Sequence, residues 1–181
     1  MSGIRRNRVA GLLQVLALAL VLVLLSGTVA SAGGPVVHRV TAGGPDACLA
    51  LGYNHPGCDA NFSLVALQYA DGSVSGQYTD RYAKGDGFHA VIDCLVVEGN
   101  QAWVSGVITH GIWHAPWGEV FDLAGLPVST RLKDNGTSAN DPPDQFSFSR
   151  VGPDGYVHCS EKPVGPIYEL HDAPQGQVKI K

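Results

Sequence analysis

Residues 88–110 read FHAVIDCLVVEGNQAWVSGVITH, and this stretch decides the fold because it contains two apolar runs separated by Gly99 and Asn100. Gly99 can adopt the positive φ that a type I′ or II′ turn requires, and Asn tolerates that conformation better than most residues. A two-residue hairpin turn is therefore predicted at this dipeptide, and the turn sets the register of the two strands.

The predicted register pairs Glu98 with Gln101 and continues outward from the turn. The further pairs are Leu95 with Val104, Cys94 with Ser105, Ile92 with Val107, and His89 with His110. Side-chain alternation then assigns to one face Val91, Leu95, Val97, Ala102, Val104 and Ile108, and to the other Ala90, Ile92, Val96, Trp103 and Val107. Because both faces are largely apolar, the hairpin is predicted to lie at the centre of a sandwich or a filled barrel.

The first 32 residues are predicted to be a cleaved signal peptide and not part of the fold. They combine a basic head, an apolar run and a small-x-small cleavage motif, which are Arg5 to Arg8, Val9–Leu25 and Ala30-Ser31-Ala32. An uncleaved membrane anchor is the alternative, since the apolar run is nearly long enough to span a bilayer. The predicted organisation is thus a signal peptide, residues 1–32, and a single secreted domain, residues 33–181, which is monomeric and has no stable membrane insertion after cleavage.

The charge of the chain excludes one class of partner. Its 181 residues include 12 Lys and Arg against 16 Asp and Glu, a net charge of −4 at pH 7. Three of the arginines lie in the predicted signal peptide, so the secreted domain is more acidic still. With no basic stripe on such a domain, nucleic acid is not an expected partner.

Four cysteines, Cys48, Cys58, Cys94 and Cys159, follow the signal peptide, and an even number in a secreted chain predicts disulfide bonds. Three connectivities are possible. We favour Cys48–Cys58 with Cys94–Cys159, because the first two bracket a short loop of turn-forming residues and the last two lie on predicted strands. A thiolate metal site is the alternative use, but no CxxC spacing occurs.

The rest of residues 33–181 has no helical periodicity, and Gly- and Pro-rich turns recur about every dozen residues between strand-like runs. This pattern predicts an all-β fold, an antiparallel β-barrel or β-sandwich of about eight strands. Besides the central hairpin, strands are predicted at Val36–Thr41, Asn61–Tyr69, Ser73–Arg81, Glu119–Leu123, Ser129–Asp134, Gln145–Val151, Tyr156–Ser160 and Gln177–Lys181, with turn-rich or loop segments at Gly111–Gly118 and Asn135–Asp144.

Several motifs together resemble a known group of proteins. They are VTAGGP at residues 40–45, DGSVSGQY at 71–78, the CLVVEGNQAWVSG hairpin at 94–106, and KDNGTS followed by DPPDQFSFS at 133–149. The chain resembles, over about residues 40–181, small secreted bacterial β-domain proteins of unknown function, of the kind found in actinobacteria. The resemblance implies a secreted all-β domain, often one module of a longer protein, and it offers no established catalytic residues to transfer to this chain.

Three histidines form the first candidate site. In the predicted register His89 lies opposite His110, and His114 follows four residues later. Three imidazoles of this kind could bind Zn²⁺ or Cu²⁺. The alternative is that they are ordinary polar residues at the mouth of a hairpin.

The loop KDNGTSANDPPD, residues 133–144, is a second candidate site. Its three aspartates, Asp134, Asp141 and Asp144, provide the oxygen ligands that Ca²⁺ prefers. The order of the ligands does not match an EF-hand. Asx-turns in a surface loop stiffened by proline explain the same residues without an ion.

Aromatic residues form the third candidate site. Trp113 and Trp117 lie in a turn-rich segment, where binding residues concentrate, and their faces could pack against a sugar or another ligand. The alternative is that these tryptophans cover the end of a barrel or the edge of a sheet.

These observations favour a secreted, non-catalytic β module that binds an extracellular ligand or a surface partner. A nucleophilic enzyme has little support, because no G-x-S-x-G motif occurs. Two alternatives stay open: a metal-dependent or carboxylate hydrolytic enzyme, and a structural component of the cell envelope. A carboxylate mechanism would take two of four residues, Glu98, Glu119, Glu161 and Glu169.

Overall fold

The computed structural model describes residues 33–45, 61–82, 85–115, 117–138, 140–173 and 175–181. Gly33–Lys181 form one compact unit. The predicted signal peptide and the predicted Cys48–Cys58 bond lie outside the described residues. Within those residues, no helix is both long and apolar enough to cross a membrane.

The described residues form eleven β-strands, all paired in antiparallel fashion within one sheet. They are β1 (Val36–Pro45), β2 (Asn61–Tyr69), β3 (Val74–Arg81), β4 (Gly87–Glu98), β5 (Gln101–His114), β6 (Val120–Asp122), β7 (Pro127–Lys133), β8 (Gln145–Phe146), β9 (Arg150–Val151), β10 (His171–Asp172) and β11 (Gln177–Ile180). The order in the sheet is β10-β8-β7-β5-β4-β3-β2-β1-β11, while β6 pairs with β5 and β9 pairs with β7.

The all-β, antiparallel prediction is confirmed, but the prediction of a closed barrel or a two-sheet sandwich is wrong. The single sheet is curled into a half-barrel, and its ladder of strand pairs stays open between β10 and β11. One predicted strand, Tyr156–Ser160, is also wrong, because a 3₁₀ turn occupies Cys159–Glu161. The concave face of the sheet carries the core, which includes Val40, Leu64, Ala66, Tyr78, Ala90, Ile92, Leu95, Val104, Ile108, Val128, Leu132 and Val178.

Two glycines lie where neighbouring strands come too close to admit a side chain. A Cβ atom on Gly76 of β3 would fall against the carbonyl oxygen of Val65, and one on Gly106 of β5 against the carbonyl oxygen of Val91. Backbones therefore approach at these two positions as closely as only glycine permits.

The central hairpin has the predicted turn, but its register changes partway along. Pairing from Glu98–Gln101 to Cys94–Ser105 follows the prediction. Asp93 is then an extra residue on β4, so Ile92 pairs with Gly106 and not with Val107. Such a bulge turns the side chains beyond it to the opposite face.

The predicted faces are therefore wrong for the first half of β4. Val91 points outward and is 49% exposed, whereas Ala90 and Ile92 point into the core. A second bulge, at Thr109 on β5, restores the original register, so that His89 lies opposite His110 as predicted.

The outer face of the hairpin is covered by residues 157–168, which we call the strap. The predicted disulfide between Cys94 on β4 and Cys159 in the strap is confirmed, with Cα atoms 6.1 Å apart. The indole Nε1 of Trp103 donates to the carbonyl oxygen of Pro163 at 2.8 Å. The buried hydroxyl of Tyr168 lies 2.6 Å from Ser129 Oγ. The strap thus buries a second, smaller apolar face.

Two carboxylates fasten the last strand to the loop that follows β7. Asp144 Oδ2 accepts the backbone N–H of Val178 at 2.7 Å, and Asp134 Oδ2 accepts that of Ile180 at 2.9 Å. Since β11 pairs with β1 through its other edge, these N–H groups would otherwise lack a strand partner. Side chains, and not a backbone ladder, therefore bridge this gap in the curled sheet.

Candidate ligand-binding cleft

Three aromatic residues form a cluster where β5 and β6 pair. Trp113 and Phe121 are register partners, and their rings stack with centroids 5.4 Å apart and planes at 28°. Trp117, in the connection between the strands, packs edge-on against Trp113 at 5.7 Å. Its indole Nε1 donates to Glu119 Oε2 at 2.7 Å, which fixes the orientation of a side chain that is 66% exposed.

The first half of the predicted turn-rich segment Gly111–Gly118 is in fact strand, because β5 continues to His114. The short strand β6 supplies the partner for this extension. The predicted strand Glu119–Leu123 corresponds to β6, Val120–Asp122. This pairing is what brings Phe121 onto Trp113.

An open cleft of about 670 Å³ lies beside this cluster. One wall carries Trp113 and Phe121, and the opposite wall is formed by residues 149–154, the segment that contains β9. Leu123, Leu126 and Val151 add apolar surface, and Tyr82 also borders the cleft. Trp117 is not among the lining residues, but it extends the aromatic surface because it packs against both Trp113 and Phe121.

Charged groups lie at the rim of the cleft. Arg150 Nε donates to the carbonyl oxygen of Ile167 at 2.6 Å, which holds the guanidinium in place. Asp122 Oδ1 accepts the N–H of Ala124 at 2.9 Å. Among the described residues, ion pairs join only His114 with Asp86 and Lys162 with Glu98. The charges lining the cleft, including Asp154, are therefore not neutralised by a partner within the described part of the chain.

The wall of the cleft is connected to a buried carboxylate. Ser149 Oγ donates to Asp80 Oδ2 at 2.9 Å, and Tyr78 OH donates to the same oxygen at 3.1 Å. Asp80 is buried on β3. These contacts tie the segment before β9 to the central sheet, so the wall is held by the core.

The three histidines of the first candidate site have separate partners. His89 and His110 stack with ring centroids 5.1 Å apart, and their Nδ1 atoms lie within 2.9 Å of Thr79 Oγ1 and 3.2 Å of Thr109 Oγ1, respectively. His114 instead binds Asp86, through Nδ1 to Oδ1 at 2.5 Å and through its backbone N–H to Oδ2 at 2.8 Å.

No group of three His, Cys, Asp or Glu side chains is placed to hold a metal ion within the part of the chain that the structure describes. The zinc or copper site predicted from the three histidines therefore has no assembled ligand set there. Stacked imidazoles present their faces to each other, whereas a metal requires ring nitrogens that converge on one point.

The three aspartates of the loop are used as acceptors for backbone N–H groups. Besides the bonds to β11, Asp134 Oδ1 accepts from Gly136 at 2.9 Å and Asp144 Oδ1 accepts from Asn135 at 2.8 Å. Asp141 Oδ2 accepts from Ser138 at 2.7 Å. Carboxylates that turn toward N–H donors in this way stabilise the loop and its contact with β11, as the interpretation without an ion expects.

The four glutamates considered for hydrolysis belong to different parts of the structure. Glu98 pairs with Lys162 at 3.0 Å at the hairpin turn, whereas Glu119 lies at the aromatic cluster. Glu161 lies in the strap and Glu169 follows it, and both are exposed.

Sequence reasoning found Trp113 and Trp117 but missed Phe121 and Arg150. Phe121 had a usable signal, because extending the second hairpin strand past His110 would have allowed it to pair with the predicted strand Glu119–Leu123. No sequence signal indicated Arg150, since its position depends on the pairing of β9 with β7.

Comparisons of the chain with models of protein families, with curated proteins and with solved structures gave no match. The functional interpretation therefore depends on the cleft itself.

Proposed function

We propose that this chain is a secreted, non-catalytic binding module that takes an extracellular ligand in the cleft beside Trp113 and Phe121. The observation that carries this proposal is the exposed aromatic cluster at the rim of a cleft of about 670 Å³. Concave sites with apolar walls and a few fixed polar groups are the usual form of a ligand site.

The exposed apolar surface supports the proposal. Trp117 is 66% exposed, Val120 is 59% exposed and Phe121 is 38% exposed, and the three lie within five residues of one another. Burying apolar surface against a ligand is favourable by about 25 cal/mol per Å². An aromatic ring already held by a hydrogen bond, as Trp117 is by Glu119, loses little conformational freedom when a ligand binds.

The polar groups of the cleft support binding more than catalysis. Ser149 donates to the buried Asp80, and Asp122 accepts from the turn that follows β6. Groups that are fixed by the fold in this way can orient a ligand through their remaining hydrogen-bonding capacity.

Secretion is part of the proposal and has two supports. The pattern of residues 1–32 is typical of a signal peptide. The Cys94–Cys159 disulfide fits an oxidising, extracellular environment.

Tryptophan fluorescence of the purified full chain tests the proposal. Panels of oligosaccharides, linear peptides and small aromatic acids are titrated, and binding is read as a change in emission. We expect at least one class to bind, and Trp113→Ala to weaken that binding by about tenfold or more. The matched control is Val164→Ala, which changes an exposed apolar residue of the strap that does not line the cleft and should leave affinity unchanged.

Two results would overturn the proposal. One is that no member of the three panels binds. The other is that Trp113→Ala and Val164→Ala affect binding equally, which would place the ligand elsewhere on the surface.

A further inference from the structure

Strands β6 and β7 lie on the same side of β5, one after the other. Strand β4 pairs with β5 along its whole length, from Glu98–Gln101 to Gly87–Ile112. The other edge of β5 pairs first with β7, through residues 101–107, and then with β6, through residues 112–114. The outer edge of β7 therefore pairs with further strands, β8 and β9. Among the described residues, no strand pairs with the outer edge of β6.

The pairing pattern shows which backbone groups of β6 face away from β5. Hydrogen bonds run from Ala115 N to Glu119 O at 2.8 Å and from Leu123 N to Gly111 O at 3.0 Å. Because inward and outward groups alternate in an antiparallel pair, Phe121 also bonds to β5, whereas Val120 and Asp122 direct their N–H and C=O groups to the outer edge. This edge thus offers two donors and two acceptors at β-strand spacing.

Strand β9 would cover that edge if it continued, but it ends first. It pairs with β7 at Val151–Val128, and Gly152 N donates to Pro127 O at 2.9 Å. Gly152 then takes a positive φ of 83°, and Pro153 has no N–H to donate. The chain turns away there, and the cleft is the space between residues 149–154 and β6.

We propose that an extended peptide segment of a partner protein binds in this cleft as an added strand on β6. This inference rests on the proposed function and names the class of ligand. Strand addition satisfies the outward groups of Val120 and Asp122, which a small apolar ligand cannot do. Alternate side chains of the added strand then contact the aromatic wall that contains Phe121.

Charge at the edge specifies the partner further. Three carboxylates, Glu119, Asp122 and Asp154, border the edge and the cleft, against one guanidinium, Arg150. None of the four takes part in an ion pair among the described residues. The favoured peptide therefore carries at least one Lys or Arg, which pairs with the acidic rim.

The test is selection of a phage-displayed library of linear dodecapeptides on the purified full chain. We expect enrichment of sequences with alternating apolar residues and a Lys or Arg. Val120→Pro removes one outward N–H without touching the ladder to β5, and an edge strand tolerates proline there. It should weaken the selected peptides by about tenfold or more. Val120→Ala keeps the N–H and removes only side-chain surface, so it should weaken the selected peptides much less than Val120→Pro does.

Circular dichroism and the melting temperature establish that Val120→Pro is folded. Where that variant does not fold, the parent protein is used with selected peptides that are N-methylated at alternate residues. One set of methylated positions should abolish binding and the other should not, because only one edge of an added strand faces β6.

Failure of this inference differs from failure of the proposed function. Absence of enriched linear peptides, or equal binding by Val120→Pro and Val120→Ala, would overturn the added strand. If a saccharide then bound in a manner sensitive to Trp113→Ala and insensitive to Val120→Pro, the cleft would stay a ligand site for a different class. If no peptide, saccharide or small aromatic acid bound in a manner sensitive to Trp113→Ala, both proposals would fail.

Discussion

Asp144 and Val178 are 34 residues apart in the chain, yet the carboxylate of the first accepts the backbone N–H of the second at 2.7 Å. The other oxygen of Asp144 accepts the N–H of Asn135 at 2.8 Å. One buried side chain therefore organises a loop and holds the edge of the last strand.

Replacing Asp144 with Ala should destabilise the fold by about 3 kcal/mol, because hydrogen bonds to a charged group contribute about 1.5–3 kcal/mol each and two N–H groups lose their acceptor. The free energy of unfolding in urea measures the effect. Asp141→Ala is the control, since Asp141 is exposed and binds only within its own loop. It should cost less than about 1 kcal/mol. Equal losses for the two variants would show that the contact with β11 contributes nothing.

Removing the Cys94–Cys159 bond should destabilise the protein by about 4 kcal/mol in the chain-entropy model. The bond closes a loop with a sequence separation of 65. A Cys94→Ala, Cys159→Ala double variant should also shift the emission of Trp103 to longer wavelength, because the strap that covers its indole is released.

Lys162→Ala is the control for the strap. It breaks only an exposed ion pair with Glu98, which is worth less than about 1 kcal/mol. Unchanged emission in the double variant would mean that the strap stays in place without the disulfide.

Gly106→Ala should destabilise the protein by about 3 kcal/mol or more, because the new methyl group meets backbone atoms that cannot move without breaking the ladder. The nearest of these atoms are the carbonyl oxygen of Val91 and, at 2.9 Å, the Cα of Ile92. Thermal unfolding and urea titration give the change. Gly99→Ala separates the steric clash from the cost of the backbone conformation, since its Cβ meets nothing within 4 Å and only its φ of +59° is unfavourable. That variant should cost about 1 kcal/mol.

The pKa of Asp71 should lie below its usual value of 3.8, because the Ser73 hydroxyl and the Ser73 N–H both donate to its carboxylate. A lowered pKa in the folded state means that the carboxylate stabilises the fold above the unfolded-state pKa. That contribution is lost as the pH falls below 3.8 through the folded-state pKa.

An NMR titration of the Asp71 carboxyl carbon measures this pKa directly. Ser73→Ala should raise it toward 3.8, whereas Ser73→Thr, which keeps a hydroxyl, should leave it low. A Ser73→Ala variant that titrates like the parent protein would show that the hydroxyl has no effect.

The central hairpin shows what local sequence can and cannot predict. Gly99 and Asn100 set the turn, and the register follows from them as far as Cys94. The bulge at Asp93 was missed, although a charged residue on the same predicted face as Val91 and Leu95 is a sign of broken alternation. A polar residue at such a position is more easily placed outward by a bulge than buried.

Apart from the Cys94–Cys159 disulfide, contacts between distant segments could not be predicted from the sequence. The prediction that Tyr156–Ser160 forms a strand was wrong because Cys159 is bonded to Cys94 of β4 and begins a 3₁₀ turn, so this segment does not join the sheet. The cleft depends in the same way on where β9 ends relative to β6. Turn chemistry and alternation describe neighbours in sequence, and they contain no information about which surfaces meet.

The two bulges of the hairpin, at Asp93 on β4 and at Thr109 on β5, lie on opposite strands and shift the register in opposite directions. Each shifts the phase of the ladder by one residue, and the second cancels the first. The residues between the two bulges, 90–92 on β4 and 106–108 on β5, therefore pair in a register that is offset by one residue from the register set by the turn. Deleting Asp93 alone would remove the extra residue of β4 and leave the pairs Ile92–Gly106, Cys94–Ser105 and His89–His110 in place. Deleting Asp93 and Thr109 together would give a ladder without bulges that keeps the same pairs, so Ala90, Ile92 and Ile108 would stay in the core.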